Sequence, residues 1–180
     1  MSGDVLALDL ATRFGWAEGP VGGTPRYGSE RFAPSGSDRG AVISGAIRHF
    51  QRRFMAFRPM KVVFEAPLPP SQVRGRTNVN TARTLLALPA VVEGLCNLNG
   101  IYRVEEAKVS DIRRWFIGSN PRGELGKKMV IERLRLMGLD PEDDNAADAL
   151  ALWFYTCARS DPDLDLHLRM TMPQHFQGGK

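Results

Sequence analysis

The sequence predicts one α/β domain built on a mixed five-stranded sheet with helices on both faces. Two observations carry that expectation. Short apolar runs at residues 5–10, 61–65 and 101–104 alternate with longer segments of helical periodicity, the pattern of parallel strands joined by helical crossovers. Two further strand-like runs, at 14–17 and 26–32, follow the first at hairpin spacing and place antiparallel strands beside the parallel ones. A length of 180 residues suits a single hydrophobic core.

Each element has a local reason. Residues 5–10 (VLALDL) are apolar except for Asp9, as in a central strand buried on both faces. After a short Ala-Thr-Arg link the chain returns through Phe14, Gly15, Trp16 and Ala17, and Gly22 with Gly23 supplies the next turn. Ser37 and Asp38 mark a helix start. Ile43, Ile47, Phe50, Phe54 and Phe57 then recur at helical spacing over 41–57, and Pro59 closes the helix. The strand at 61–65 finishes on a second acid, Glu65. Residues 67–80 are polar and proline-bearing, hence a loop. A helix over 81–97, a strand at 101–104, helices over 109–117 and 127–137 with a loop at 119–126, and a last helix over 143–159 complete the order. The domain is expected to span residues 1–160, with 161–180 as a loose tail.

Composition narrows the function classes. No apolar run reaches the 18 or so residues that a spanning helix needs, so no membrane role is expected. The first residues lack the layout of a signal peptide. Cys96 and Cys157 lie in helical apolar patterns and read as buried thiols of a reducing, cytoplasmic setting. Net charge is +4, but between Arg74 and Arg135 twelve Lys or Arg face six Asp or Glu. That balance suits a polyanionic partner and equally an ordinary solvated surface. The sequence contains no phosphate-cradling Walker loop, dinucleotide-binding glycine pattern or Ser-His-Asp arrangement.

Three carboxylates stand where burial is expensive. Asp9 lies in the first strand, Glu65 ends the fourth, and Asp148 lies inside the last, alanine-rich helix. An acid among apolar neighbours must be paired, hydrogen-bonded or bound to a cation. In the helix, Asp144 is four residues and Asn145 three residues before Asp148, so either can share its face. Asp143 and Asp144 are also natural caps for the positive helix end, whereas Asp148 is too far inside to be one. Hard oxygen ligands suit magnesium or manganese, and His49, His167 and His175 are too scattered to form a nitrogen site. Metal-assisted phosphoryl chemistry is the leading reading.

The run LALDLATRFGWA at 6–17 resembles the first motif of RuvC-type Holliday junction resolvases. VVFE at 62–65 is similar to their second, and NAADALA at 145–151 to their closing motif. The three occur in order over residues 4–159, in a version similar to phage and prophage resolvases. The resemblance implies a ribonuclease H-like fold and hydrolysis of DNA phosphodiesters at four-way or other branched junctions. It also implies a homodimer and two divalent ions, Mg2+ or Mn2+, per site. Carried over by position, Asp9, Glu65, Asp148 and Asn145 are the ligands. The family pattern has an acid or histidine where this chain has neutral Asn145, so Asp144 is the alternative fourth group. Lys127 and Lys128 fall where the family has a lysine near the scissile phosphate, and are otherwise surface lysines. Lys128 is the one assigned to catalysis. Arg74, Arg76 and Asn78, with both lysines, are the expected DNA contacts. Arg113 and Arg114 extend that surface, or else flank core residues. The rival expectations are a ribonuclease or ribosomal-RNA-processing nuclease of the same fold, and a junction-binding protein with reduced activity.

Overall fold

The computed structural model describes residues 3–67, 79–121, 123–173 and 176. Among them, strands β1 (Asp4–Asp9), β2 (Arg13–Pro20), β3 (Arg26–Arg31), β4 (Lys61–Glu65) and β5 (Val104–Ala107) form one sheet in the order β3-β2-β1-β4-β5. The hairpin strands β1, β2 and β3 pair antiparallel, while β1 with β4 and β4 with β5 pair parallel. This is the mixed sheet that the strand spacing implies. The helices are α1 (Arg39–Ala56), α2 (Val79–Leu98), α3 (Val109–Ile117), α4 (Glu124–Leu136), α5 (Asp144–Ser160) and α6 (Pro162–Met170).

Alternation along β1 sorts the helices into two layers. Leu6 and Leu8 point into a core with Phe50 and Phe54 of α1 and Leu88 and Val92 of α2. Val5 and Ala7 point the other way, against α3, α4, α5 and α6 through Phe116, Leu134, Leu150, Trp153 and Leu168. Successive side chains of a strand face opposite sides, so a strand clothed on both must be apolar throughout. Among the described residues no helix is long and apolar enough to cross a membrane.

Three expectations need correction, the smallest being that α4 opens at Glu124, inside the stretch 119–126 expected as a loop. The apolar run at 101–104 is not the strand itself. Gly100 takes φ 72°, Ile101 N donates to Cys96 O (2.9 Å) and Gly100 N to Asn97 O (3.0 Å), so Ile101 closes the C-terminus of α2. It is buried as the apolar contact of that cap, and pairing begins only at Val104. Nor is the segment after residue 160 a loose tail in its described part. Asp161 caps α6 by accepting from Asp163 N and Leu164 N (3.0 and 3.2 Å), and Pro162 is pre-set for the first turn. Leu168 and Phe176 are buried in the core, and Trp115 Nε1 donates to Asp165 at 2.6 Å. Arg133 lies over the Phe116 ring and donates to Leu168 O at 3.0 Å.

Candidate active site

Asp9 and Glu65 end two neighbouring parallel strands, and Leu8 lies opposite Phe64 in the register between them. Asp9 shares the parity of Ala7 and Glu65 that of Val63, so both carboxylates turn to the face covered by α5. That helix can lie close because residue 15 has no side chain. A Cβ there would stand 1.8 Å from Asn145 O. The first turn of α5 is thus pressed onto β2 beside Asp9.

The electrostatics place the acids together. Burial pushes the Asp9 carboxyl up to about 7, and the charges of Asp148, Asp144 and Asp143 push the same way, with Lys127 opposing them. Glu65 is raised well above the usual carboxylate range by burial, then by Asp9 and Asp148, with Arg113 offsetting. Asp148 rises to about 6, chiefly by burial, with Asp144 adding to the rise while Arg113 and Lys127 oppose it. The three acids singled out from sequence are therefore near enough to bear on one site, each of them half-buried. Taken as placed, no three Asp, Glu, His or Cys side chains among the described residues converge tightly enough to grip an ion.

The helix start separates its three polar residues. Asp143 is the cap, its Oδ1 accepting from Ala146 N at 2.9 Å. Asp144 accepts from Lys127 Nζ. Asn145 is half-buried, and among the described residues its side-chain amide makes no hydrogen bond. Of the two lysines that open α4 in the sequence reading, Lys127 reaches the acids, while Lys128 is exposed and does not act on Asp9 or Asp148. Arg74, Arg76 and Asn78 lie outside the described residues.

Two features were not anticipated. Arg113 is half-buried with a nitrogen 3.8 Å from Asp148 Oδ1, an inward role that the helical spacing of α3 alone does not single out. Arg13 and Ser29 both bond Asp143 at 2.6 Å, across 130 and 114 residues of chain. Arg13 sits inside the first motif, which was the only available signal. No local pattern announces its partner.

No family model and no curated protein matches the sequence. Solved structures do match. RuvC of Thermus thermophilus aligns with a TM-score of 0.63 at 17% identity, covering 87% of this chain and 96% of that one. The fold is that of RuvC. A second structure, T. thermophilus RuvC in complex with a Holliday junction substrate, aligns with a TM-score of 0.64 at 17% identity, over 88% of this chain and 96% of that one. Ydc2, the yeast mitochondrial Holliday junction resolvase, aligns with a TM-score of 0.61 at 12% identity, over 93% of this chain and 80% of that one. Likeness at such identities is likeness of fold, and it bears out the ribonuclease H-like architecture. On the RuvC fold of this chain, the buried acids sit at the carboxyl ends of β1 and β4 under the N-terminal half of α5.

Proposed function

We propose that this chain is a divalent-metal-dependent endonuclease that hydrolyses phosphodiesters at four-way or other branched DNA junctions. The observation that carries the reading is the placing of Asp9 and Glu65 at the carboxyl ends of two adjacent parallel strands, on the face covered by the helix that bears Asp148, in a RuvC fold. Carboxylates gathered where water is largely excluded need a cation to ionise together. Lys127 is bonded to Asp144 and Arg113 stands by Asp148, which leaves Asp9 and Glu65 as hard oxygen donors without a bonded cation among the described residues. That donor set fits magnesium or manganese.

In this reading Asp9, Glu65, Asp148 and Asn145 hold the ions, and Asp144, occupied by Lys127, is the alternative to Asn145. Bound ions would supply positive charge opposite the scissile phosphate. The Lys127 ammonium is aimed into the same site and offers a phosphate partner there. Lys128 on α4, with Arg74, Arg76 and Asn78, supplies contacts to the DNA backbone that give affinity without sequence choice. A four-way junction presents two equivalent strands, so paired cuts call for a homodimer. Free, buried Cys96 and Cys157 suit the cytoplasm.

Neutral Asn145 favours one second reading, a junction-binding protein with reduced cutting. One experiment separates these from a ribonuclease. Wild type and Asp9→Asn are incubated with a four-way DNA junction, an RNA–DNA hybrid and a structured RNA, each with Mg2+ or Mn2+. Cleavage of the junction by wild type, and binding without cleavage by Asp9→Asn, is the expected result. Robust cutting by Asp9→Asn rules out the metal site. Binding without cutting by wild type supports the second reading, and preference for either RNA substrate replaces the substrate class.

A further inference from the structure

The row of residues that crosses the sheet at Asp9 continues to its edge. Asp9 lies opposite Gly15, and Gly15 opposite Ser29, so β1, β2 and β3 carry the three side by side. Ala7, Ala17 and Tyr27, two residues along each strand, all pack against the α5 face, and the row at Asp9 therefore faces it too. α5 is seated on this row. Ser29 Oγ donates to Asp143 Oδ2 at 2.6 Å, and Arg13 Nε donates to the same oxygen at 2.6 Å. Arg13 also donates to Ser29 Oγ at 2.7 Å, and Ser29 N donates to Glu142 Oε1 at 2.7 Å. Capping the helix uses only the other Asp143 oxygen, which accepts from Ala146 N. The second oxygen is committed wholly to Arg13 and Ser29.

The geometry points to Ser29 and Arg13 as positioning residues that set the separation of Asp9 from Asp148 and Asn145 by pinning the first turn of α5 to the outer hairpin. This rests on the metal-site reading above. Two strand spacings put Ser29 about 10 Å from Asp9. Asp148 lies five residues, about 7.5 Å, along α5 from the pinned Asp143. Gly15 sets how deep the helix sits between those ends, and the anchor at Asp143 sets where along the row it starts. Neither positioning side chain touches an acid of the buried site, so their effect reaches the ligands only through the helix.

The test compares wild type with Ser29→Ala, Arg13→Ala, the double variant and Ser29→Thr. Manganese binding to the DNA-free protein is measured by electron paramagnetic resonance, beside the thermal midpoint and the salt dependence of junction binding. Expected are a tenfold or greater weakening of manganese binding in Ser29→Ala and Arg13→Ala, of the size seen when groups that orient metal ligands are lost. The double variant should be weakened by less than the product of the two, because both hold one oxygen. Ser29→Thr, which keeps the hydroxyl, should bind as wild type does. If the double variant does not fold, the contrast between Ser29→Ala and Ser29→Thr decides. Unchanged manganese binding with a lowered thermal midpoint overturns the proposal in favour of a purely structural clamp. Unchanged manganese binding with a flattened salt dependence in Arg13→Ala overturns it in favour of a phosphate contact. A wild type that binds no manganese overturns the metal reading itself, and the positioning role with it.

Discussion

Gly15→Ala is the substitution whose consequence the structure determines most tightly. Its Cβ would stand 1.8 Å from Asn145 O, 2.3 Å from Asn145 C and 3.0 Å from Ala146 N. All three are backbone atoms, so no side chain can swing clear and α5 itself must lift. Recovering even a tight 3.0 Å contact with Asn145 O takes about 1.2 Å of movement, 3.0 less 1.8. Overpacking of this kind costs about 1–3 kcal/mol. In a chain of this length that lowers the thermal midpoint by roughly 3–10 °C. The larger effect falls on the site, because α5 carries Asp148 and Asn145 away from Asp9. A misplacement near 1 Å among reacting groups is worth about a hundredfold in rate. Gly45→Ala is the matched control. Its Cβ would meet Phe32 O at 1.9 Å, an equally severe backbone clash, but between α1 and the end of β3, away from the acids. Thermal melts, manganese binding and junction cleavage are measured well below both midpoints. Both variants should be destabilised, and only Gly15→Ala should lose metal binding and cleavage. A wild-type melt for Gly15→Ala, or equal loss of cleavage in Gly45→Ala, would refute the reasoning.

Acidity gives a second prediction. Asp9 titrates near 7 in the fold, raised first by burial and then by Asp148, against 3.8 in the unfolded chain. The folded state keeps a proton that the unfolded state gives up, so this carboxyl lowers stability progressively between about pH 4 and pH 7. In chelator, the urea midpoint of Asp9→Asn should therefore gain on wild type as pH rises through that window, and a constant gap would count against the buried acid. Lys127→Ala should cut cleavage about 10- to 100-fold by freeing Asp144 and removing the ammonium from the site, whereas exposed Lys128→Ala should stay within a fewfold. Equal losses in the two would point to simple phosphate affinity. Truncation after Ser160 removes buried Leu168 and Phe176 and should cost about 3–6 kcal/mol in urea unfolding. An unchanged midpoint would mean the segment does not pack.

Much of the fold follows from short-range pattern. β4 and α3 begin and end where the sequence reading puts them, because an apolar pentad ending on Glu65 and a 3.6-residue repeat closed by Gly118 are local signals. The boundary error at β5 has an equally local cause. Ile101 is as apolar as a strand residue, but the left-handed Gly100 before it makes it the end of a helix cap. The helix hidden after residue 160 was announced by Asp161 and Pro162, and charge-rich composition masked the signal.

Read alone, the sequence determined which acids are costly to bury: Asp9 and Glu65 at strand ends and Asp148 deep in a helix, since burial follows from the apolar residues on either side. Tertiary structure alone decided which polar groups meet them. Lys127 rather than Lys128 reaches Asp144, Arg113 turns inward to Asp148, and Arg13 with Ser29 seizes Asp143. Those pairings join residues far apart in the chain and depend on how α5 lies across the sheet. Its close approach over Gly15, where a Cβ would meet the Asn145 backbone, joins two segments whose meeting neither sequence pattern announces alone.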